Sequence, residues 1–119
     1  MTPPDDLDDT GLTLTAEPDA PGTLGLRLAG SLDHESADAL VRAVARHLET
    51  PPAPRLLRLE CAGLTTCDAL GLAALLMLGR RARAADCLLR LGNRPARLEK
   101  LLAVTGTHGY LVGQEPRPA

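Results

Sequence analysis

Residues 56–84 read LLRLECAGLTTCDALGLAALLMLGRRARA, and this stretch decides the fold. Its first part is a compact apolar run that predicts a strand, and its second part, from Ala69 onward, predicts a helix. Asp68 stands alone between the two. Aspartate is a preferred N-cap, because its carboxylate accepts a backbone N–H of the first helical turn and lies at the positive end of the helix dipole. The stretch therefore predicts a strand–Asp–helix junction.

The helix that follows Asp68 is apolar almost all round over residues 69–78. A helix without a polar face is typical of a buried position, so we expect it to be central and deeply packed. Three arginines occupy its last turns, where cations suit the negative end of the helix dipole: Arg80, Arg81 and Arg83.

Upstream, residues 11–17 (GLTLTAE) and 23–32 (TLGLRLAGSL) alternate apolar and polar residues, and PDAPG between them supplies turn chemistry. These runs predict a β-hairpin. Residues 33–50 then place apolar side chains at helical spacing, which predicts a helix that ends at the prolines after Thr50. Either Asp33 or Ser36 can cap the start of this helix.

Downstream, residues 86–92 (DCLLRLG) predict a strand and residues 93–106 a short helix, with Gly106 as its stop signal. Residues 109–113 (GYLVG) predict a last edge strand. The predicted order is β-β-α-β-α-β-α-β. Strands that alternate with helices favour right-handed parallel crossovers, so we predict an α/β fold with a small mixed sheet backed by helices.

The chain of 119 residues is long enough for one domain. Residues 1–10 are rich in proline and aspartate and predict a mobile acidic lead-in. Residues 11–113 form the predicted domain, and residues 114–119 a free tail. The core must be built from leucine, valine and alanine, because the chain has one tyrosine and no phenylalanine or tryptophan.

Composition excludes several classes of function. The net charge is -2, with no dense basic stripe and one aromatic residue, so we predict no nucleic-acid partner. No window reaches about 18 uninterrupted apolar residues, so we predict no direct insertion into a membrane. The N-terminus lacks the apolar region of a secretion signal, and three cysteines fit a reducing compartment, so the predicted location is cytoplasmic.

No pattern for catalysis or cofactor binding stands out. The three cysteines and three histidines lack zinc-like spacing, and neither a phosphate-binding loop nor a GxSxG nucleophile motif occurs, so we predict no metal, no cofactor and no enzymatic activity. Cys67 precedes a helix N-terminus, which could lower the pKa of its thiol. An enzymatic or redox function that uses Cys67 is one hypothesis, but nothing in the sequence beyond this single thiol supports it.

Three segments in order resemble one family. They resemble the STAS domain, and they are especially similar to bacterial anti-sigma factor antagonists. The three segments are LRLAGSLDHESADAL, the stretch at residues 56–84, and LLRLGNRPARLEKLLAVTGTHGYL. The resemblance covers roughly residues 11–113. It implies a small mixed sheet backed by helices, and a protein that binds an anti-sigma factor, often a serine kinase, and so releases a sigma factor.

The resemblance also implies where the partner binds. In the family, the partner kinase phosphorylates a serine in an Asp-Ser-Ser-Gly-Leu pattern, and the phosphate abolishes binding. Asp68 matches that Asp and Gly71 its Gly, but Ala69 and Leu70 stand where the serines are expected. Leu70 takes the acceptor position and has no hydroxyl, so no phosphorylation is expected there. Asp33 matches the Asp of the family's Gly-Glu-Leu-Asp segment.

The first hypothesis is therefore a binding module without the usual phosphorylation. The predicted contact residues for its anti-sigma factor or serine kinase are Asp33, Thr65, Thr66, Asp68, Ala69, Leu70 and Gly71. The alternative is a STAS subunit of a membrane lipid-transport ATPase complex. The sequence leaves open the identity of the partner, phosphorylation at Thr65 or Thr66, and whether the chain forms a homodimer.

Overall fold

The computed structural model describes residues 10–111. Its four strands form one sheet in the order β1-β2-β3-β4, with β1 antiparallel to β2 and the other pairs parallel. The predicted mixed sheet and its N-terminal hairpin are confirmed. The elements are β1 (Leu12–Glu17), β2 (Thr23–Leu32), α1 (Ala37–Glu49), β3 (Leu56–Cys67), α2 (Ala69–Ala84), β4 (Leu88–Gly92), α3 (Ala96–Thr105) and α4 (His108–Leu111).

One face of the sheet is lined with leucine. The register pairs Leu14 with Leu28, and Leu26 with Leu59, which in turn pairs with Leu91, so these side chains point to the same side. Buried residues of α1, α2 and α3 belong to the same hydrophobic cluster, and the three helices therefore cover this face. Each fully buried leucine contributes about 1.5–3 kcal/mol, which is how the core is stabilised where the structure describes its side chains, none of them aromatic.

The opposite face of the sheet is polar and carries ion pairs. Arg58 Nε lies 2.7 Å from an Asp19 carboxylate oxygen, and Arg27 Nε lies 3.1 Å from Glu17. This division between a leucine face and a charged face is the physical origin of the alternating pattern in residues 11–17 and 23–32.

The predicted edge strand at residues 109–113 is wrong where the structure describes it. Gly106 ends α3 in the left-handed conformation, with φ of 70°, as its predicted stop signal. A short helix, α4, then begins at His108. Short apolar runs fit either a strand or a helix by periodicity, and here the turn after α3 leads directly into a helix. Residues 112–113 lie outside the described residues, as do residues 1–9 of the predicted lead-in and the predicted tail at 114–119.

The prediction that α2 is central and deeply packed holds for its inner side only. Its inner side packs into the core, but Ala69, Leu70, Ala73 and Met77 are exposed. Parallel crossovers place α1 and α2 in one layer on the sheet, and a helix in such a layer keeps an outer side towards solvent. The exposed apolar side of α2 therefore needs an explanation other than packing within the described residues.

Candidate functional site

The site begins where β2 and β3 end side by side. Leu32 pairs with Cys67 at the ends of these parallel strands, and the backbone N–H of Asp68 donates to the carbonyl of Leu32 at 3.2 Å. β3 is longer than the apolar run predicted, and it carries Thr65 and Thr66 as exposed strand residues. The β2–α1 corner and the start of α2 are thereby brought together.

Asp68 joins these two segments through its carboxylate. Its Oδ1 accepts the backbone N–H of Gly71 at 2.8 Å, which confirms the predicted N-cap. Its Oδ2 accepts the backbone N–H of His34 at 3.3 Å. The N–H of Gly71 is the main reason that the pKa of Asp68 is lowered, and the N–H of His34 adds to it, because both donors stabilise the charged form.

The corner at Asp33 is held by its own hydrogen bonds. The carboxylate of Asp33 accepts the N–H of Glu35 at 3.0 Å. The hydroxyl of Ser36 accepts the N–H of Asp33 at 3.0 Å and donates to the carbonyl of Ser31 at 2.9 Å. Ser36 occupies the N-cap position of α1, but no side chain caps that helix. The prediction that Asp33 or Ser36 caps α1 is therefore wrong. The side chains of both residues form hydrogen bonds within the turn before the helix instead.

Gly71 is buried beneath the junction instead of forming part of its surface. A Cβ atom at this position would lie 2.3 Å from the carbonyl oxygen of Leu32, far inside van der Waals contact. The first turn of α2 can approach the end of β2 only because residue 71 has no side chain. Gly71, for which we predicted a partner contact, is buried in the structure, and its missing side chain lets the exposed residues before it take their positions.

Leu70 projects from the first turn of α2 and is 56% exposed. It borders a groove of about 260 Å³ between α1 and α2. The rest of this groove was not predicted from the sequence, although the spacing of Leu70, Ala73 and Met77 places them on one helix face. The residues that line the groove are His34, Ala37, Asp38, Val41, Leu70, Ala73, Ala74 and Met77.

Cys67 lacks the properties of a reactive thiol. Burial raises its pKa to about 11, and the neighbouring carboxylate of Asp68 adds to the rise. The predicted lowering by the helix N-terminus is wrong, because partial burial and an adjacent negative charge both disfavour the thiolate. Among residues 10–111, no cluster of three or more histidine, cysteine or acidic side chains is arranged to hold a metal ion. That same part of the chain contains no helix long and apolar enough to cross a membrane.

The model of the family described as "Mlab, STAS domain" matches residues 15–113. The chain belongs to the STAS domain family. No curated protein matches the sequence. Within this STAS domain, the junction at Asp68, the corner at Asp33 and the groove beside Leu70 lie at one end of the helical layer.

Solved structures share the STAS fold with this chain. An anti-sigma factor antagonist from Mycobacterium paratuberculosis is 17% identical, with a TM-score of 0.72 over 87% of this chain and 85% of its own. The antagonist SpoIIAA in its unphosphorylated form is 19% identical, with a TM-score of 0.69 over 83% and 85%. A sulfate transporter family protein from Wolinella succinogenes is 19% identical, with a TM-score of 0.70 over 82% and 78%.

Proposed function

We propose that this STAS domain is a non-enzymatic regulatory module in the cytoplasm that binds an anti-sigma factor or a related serine kinase. The observation that carries the proposal is the exposed Leu70 at a junction held by Asp68. An exposed leucine beside hydrogen-bonded carboxylates combines an apolar anchor with a polar rim, as protein interfaces do. Solved relatives named as anti-sigma factor antagonists share the fold.

The proposed contact surface combines two segments that are distant in sequence, residues 65–70 and the β2–α1 corner at Asp33. Thr65 and Thr66 lie on the end of β3, and Ala69 and Leu70 lie on the first turn of α2, all of them exposed. The bond from the His34 N–H to Asp68 fixes the β2–α1 corner beside them. A partner that contacts this surface therefore meets a pre-organised set of groups, which reduces the entropy lost on binding.

We infer that the usual control by phosphate is absent from this surface. The solved relatives include Bacillus SpoIIAA in a phosphorylated form, at 21% identity with a TM-score of 0.61 over 83% of this chain and 88% of its own. Leu70, at the position that matches the family's acceptor, offers no hydroxyl to a kinase. Partner binding would then persist in the presence of ATP and would be controlled by other means.

The binding surface is tested by capture of partners from a native lysate. The Leu70→Asp variant places a charge at the centre of the proposed contact, where a desolvated and unpaired carboxylate would weaken binding by about tenfold or more. Val104→Asp is the matched control, because Val104 is 74% exposed on α3. We expect the captured protein, identified by mass spectrometry, to be lost with Leu70→Asp and retained with Val104→Asp. Equal capture by both variants would move the binding site elsewhere.

The absence of phosphorylation is tested with the captured kinase and ATP. We expect no phosphate on residues 65–72 of the wild type. The Leu70→Ser variant restores a hydroxyl at an exposed position in the first turn of α2, and we expect it to accept phosphate. Stoichiometric phosphate on Thr65 or Thr66 of the wild type would show instead that the acceptor has moved along the chain.

The second candidate is a STAS subunit of a membrane lipid-transport ATPase complex. The observation in its favour is that a sulfate transporter family protein shares the fold at a TM-score similar to that of the antagonists, which supports a transport role in general and does not single out lipid as the cargo. The same capture experiment separates the two candidates. An ATPase subunit that is lost with Leu70→Asp would support the transport assignment, and a kinase or anti-sigma factor would support the regulatory one.

A further inference from the structure

The outer side of α2 is a continuous apolar stripe, which we define as Leu70, Ala73 and Met77. Leu70 is 56% and Met77 44% exposed, although both are large hydrophobic side chains. Residues spaced by three and four along a helix are neighbours on one face, so the three side chains form one patch about two turns long. Such a patch on the solvent-facing side of a helix typically marks an interaction surface.

The charges at the two ends of the stripe have opposite signs. Asp68 lies just before it and Asp38 lines the groove beside its first turn. Arg80 and Arg81, both exposed, follow it in the last turns of α2. Glu49 lines a second groove together with Arg81 and offsets part of that charge, whereas Arg80 lies on the outer side with the stripe. The surface is therefore acidic at one end, apolar in the middle and basic at the other end.

We propose that a second copy of this chain docks on the stripe, with the two α2 helices antiparallel. A two-fold axis that crosses α2 between Ala73 and Met77 brings Ala73 of one copy opposite Met77 of the other. Asp68 and Arg80 are twelve residues apart, about 18 Å along the helix axis. The rotation places Asp68 of each copy near Arg80 of the other copy. Every contact then occurs twice, as a closed two-fold dimer requires.

The arrangement of charges favours a second copy over a different partner helix. A helix of one charge sign would be attracted at one end of the stripe and repelled at the other, whereas an antiparallel copy matches opposite charges at both ends. Ala73, near the centre, is small enough for the two helices to approach to about 8–10 Å. The aliphatic part of the Arg80 side chain can cover Leu70 of the other copy while its guanidinium group reaches Asp68.

The size of the stripe limits the strength of the dimer. One face of a helix of 16 residues is smaller than the roughly 800 Å² per partner of a stable complex. We therefore expect a weak dimer, with a dissociation constant in the micromolar range or higher. Leu70 lies inside the dimer contact. If the proposed function holds, self-association covers part of the surface that binds the partner and makes binding depend on concentration, which supplies a control that Leu70 cannot provide through phosphorylation.

Sedimentation equilibrium of the full chain tests the proposal. We expect the average mass to rise from monomer towards dimer between about 10 and 500 µM. Ala73→Arg places a charge opposite the apolar Met77 of the other copy and near the same charge across the two-fold axis, so it should keep the protein monomeric. Met77→Glu should do the same by a different side chain. Val104→Arg, on α3, should dimerise like the wild type. Circular dichroism confirms that each variant is folded.

Crosslinking with a short bis-maleimide tests the orientation. In the antiparallel dimer, Leu70 of one copy faces Arg80 of the other, whereas the two copies of Leu70 lie about 15 Å apart along the helix axis. We expect a mixture of Leu70→Cys and Arg80→Cys to form far more dimer than either variant alone. Equal crosslinking in all three samples would overturn the antiparallel arrangement.

A wild-type protein that stays monomeric at every concentration would overturn the self-association. If such a monomer still loses its captured partner in the Leu70→Asp variant, the proposed function stands and the stripe serves that partner. A dimer that forms equally in the wild type, Ala73→Arg and Met77→Glu would also overturn the proposal, because the contact would lie on another face.

Discussion

At the scale of single residues, Asp68 connects the local rules of helix capping to the geometry of the whole site. Its two oxygens accept N–H groups from residues 71 and 34, which lie on different segments. Removing the carboxylate therefore frays the first turn of α2 and also releases the β2–α1 corner. For this reason we expect Asp68 to matter more for binding than its contribution to stability suggests.

Replacing Asp68 with alanine should lower the free energy of unfolding by about 1 kcal/mol at pH 7, the usual effect of losing an N-cap. Because the pKa of Asp68 is lowered by folding, its charged form stabilises the protein at neutral pH, and this contribution is lost as the pH falls through the folded pKa. The difference between wild type and Asp68→Ala should therefore shrink from pH 7 to pH 3 in urea denaturation. A constant difference would mean that the charge of Asp68 does not contribute to stability. Asp68→Asn keeps a capping oxygen, so its loss of unfolding free energy should be much smaller than that of Asp68→Ala.

Gly71 provides a second test at this scale. Exchange of glycine for alanine usually favours a helix, but here the new Cβ would meet the carbonyl oxygen of Leu32 at 2.3 Å. We expect Gly71→Ala to destabilise the fold by about 1–3 kcal/mol, as overpacking does. The control is Gly109→Ala in α4, where nothing lies within 4 Å of the added atom and thermal denaturation should be unchanged. A neutral Gly71→Ala would mean that α2 can move away from β2 at little cost.

At the scale of elements, α2 carries leucines with opposite environments. Leu75 is fully buried in the core, whereas Leu70 is 56% exposed one and a half turns earlier. Leu75→Ala should cost about 2–5 kcal/mol, the range for emptying a buried leucine site. Leu70→Ala should change stability by less than about 0.5 kcal/mol, as is usual for surface positions. Chemical denaturation of this matched pair compares the same substitution on two sides of one helix, and similar losses would place Leu70 in the core.

The helix α2 also explains what the sequence could and could not predict. The strand–Asp–helix junction was predictable because capping preference and the change of apolar pattern act locally. The outer side of α2 was not, because leucine and alanine fill both sides and only the sheet decides which side is covered. The strand predicted at residues 109–113 was wrong for a related reason, since a short apolar run has no periodicity long enough to distinguish strand from helix.

At the scale of the molecule, one leucine layer supports two different surfaces. The sheet presents a charged face where Arg58 lies between Asp19 and Glu60, at 2.7 and 3.4 Å. The helical layer presents the apolar stripe and the junction at Asp68. The charges on the sheet face compensate one another, which leaves the helical side as the surface suited to a partner.

The three cysteines report on the integrity of this layer. Cys61 and Cys87 are buried in the core and Cys67 is partly buried at its edge. Burial raises the pKa of Cys61 to about 12 and that of Cys67 to about 11, so at pH 8 only about 0.1% of Cys67 is thiolate in the folded protein, far below the fraction for an exposed cysteine.

We therefore expect a thiol reagent such as dithionitrobenzoate to label the folded protein at pH 8 at least about a hundredfold more slowly than free cysteine, with Cys67 labelled first. In denaturant all three thiols should react at the rate of free cysteine. Cys67→Ser is the control, since its folded form should lose the earliest phase and keep the two slow ones. Rapid labelling of Cys61 or Cys87 in the absence of denaturant would mean that the leucine layer opens locally, because neither sulfur can meet the reagent while α1, α2 and the sheet remain packed together.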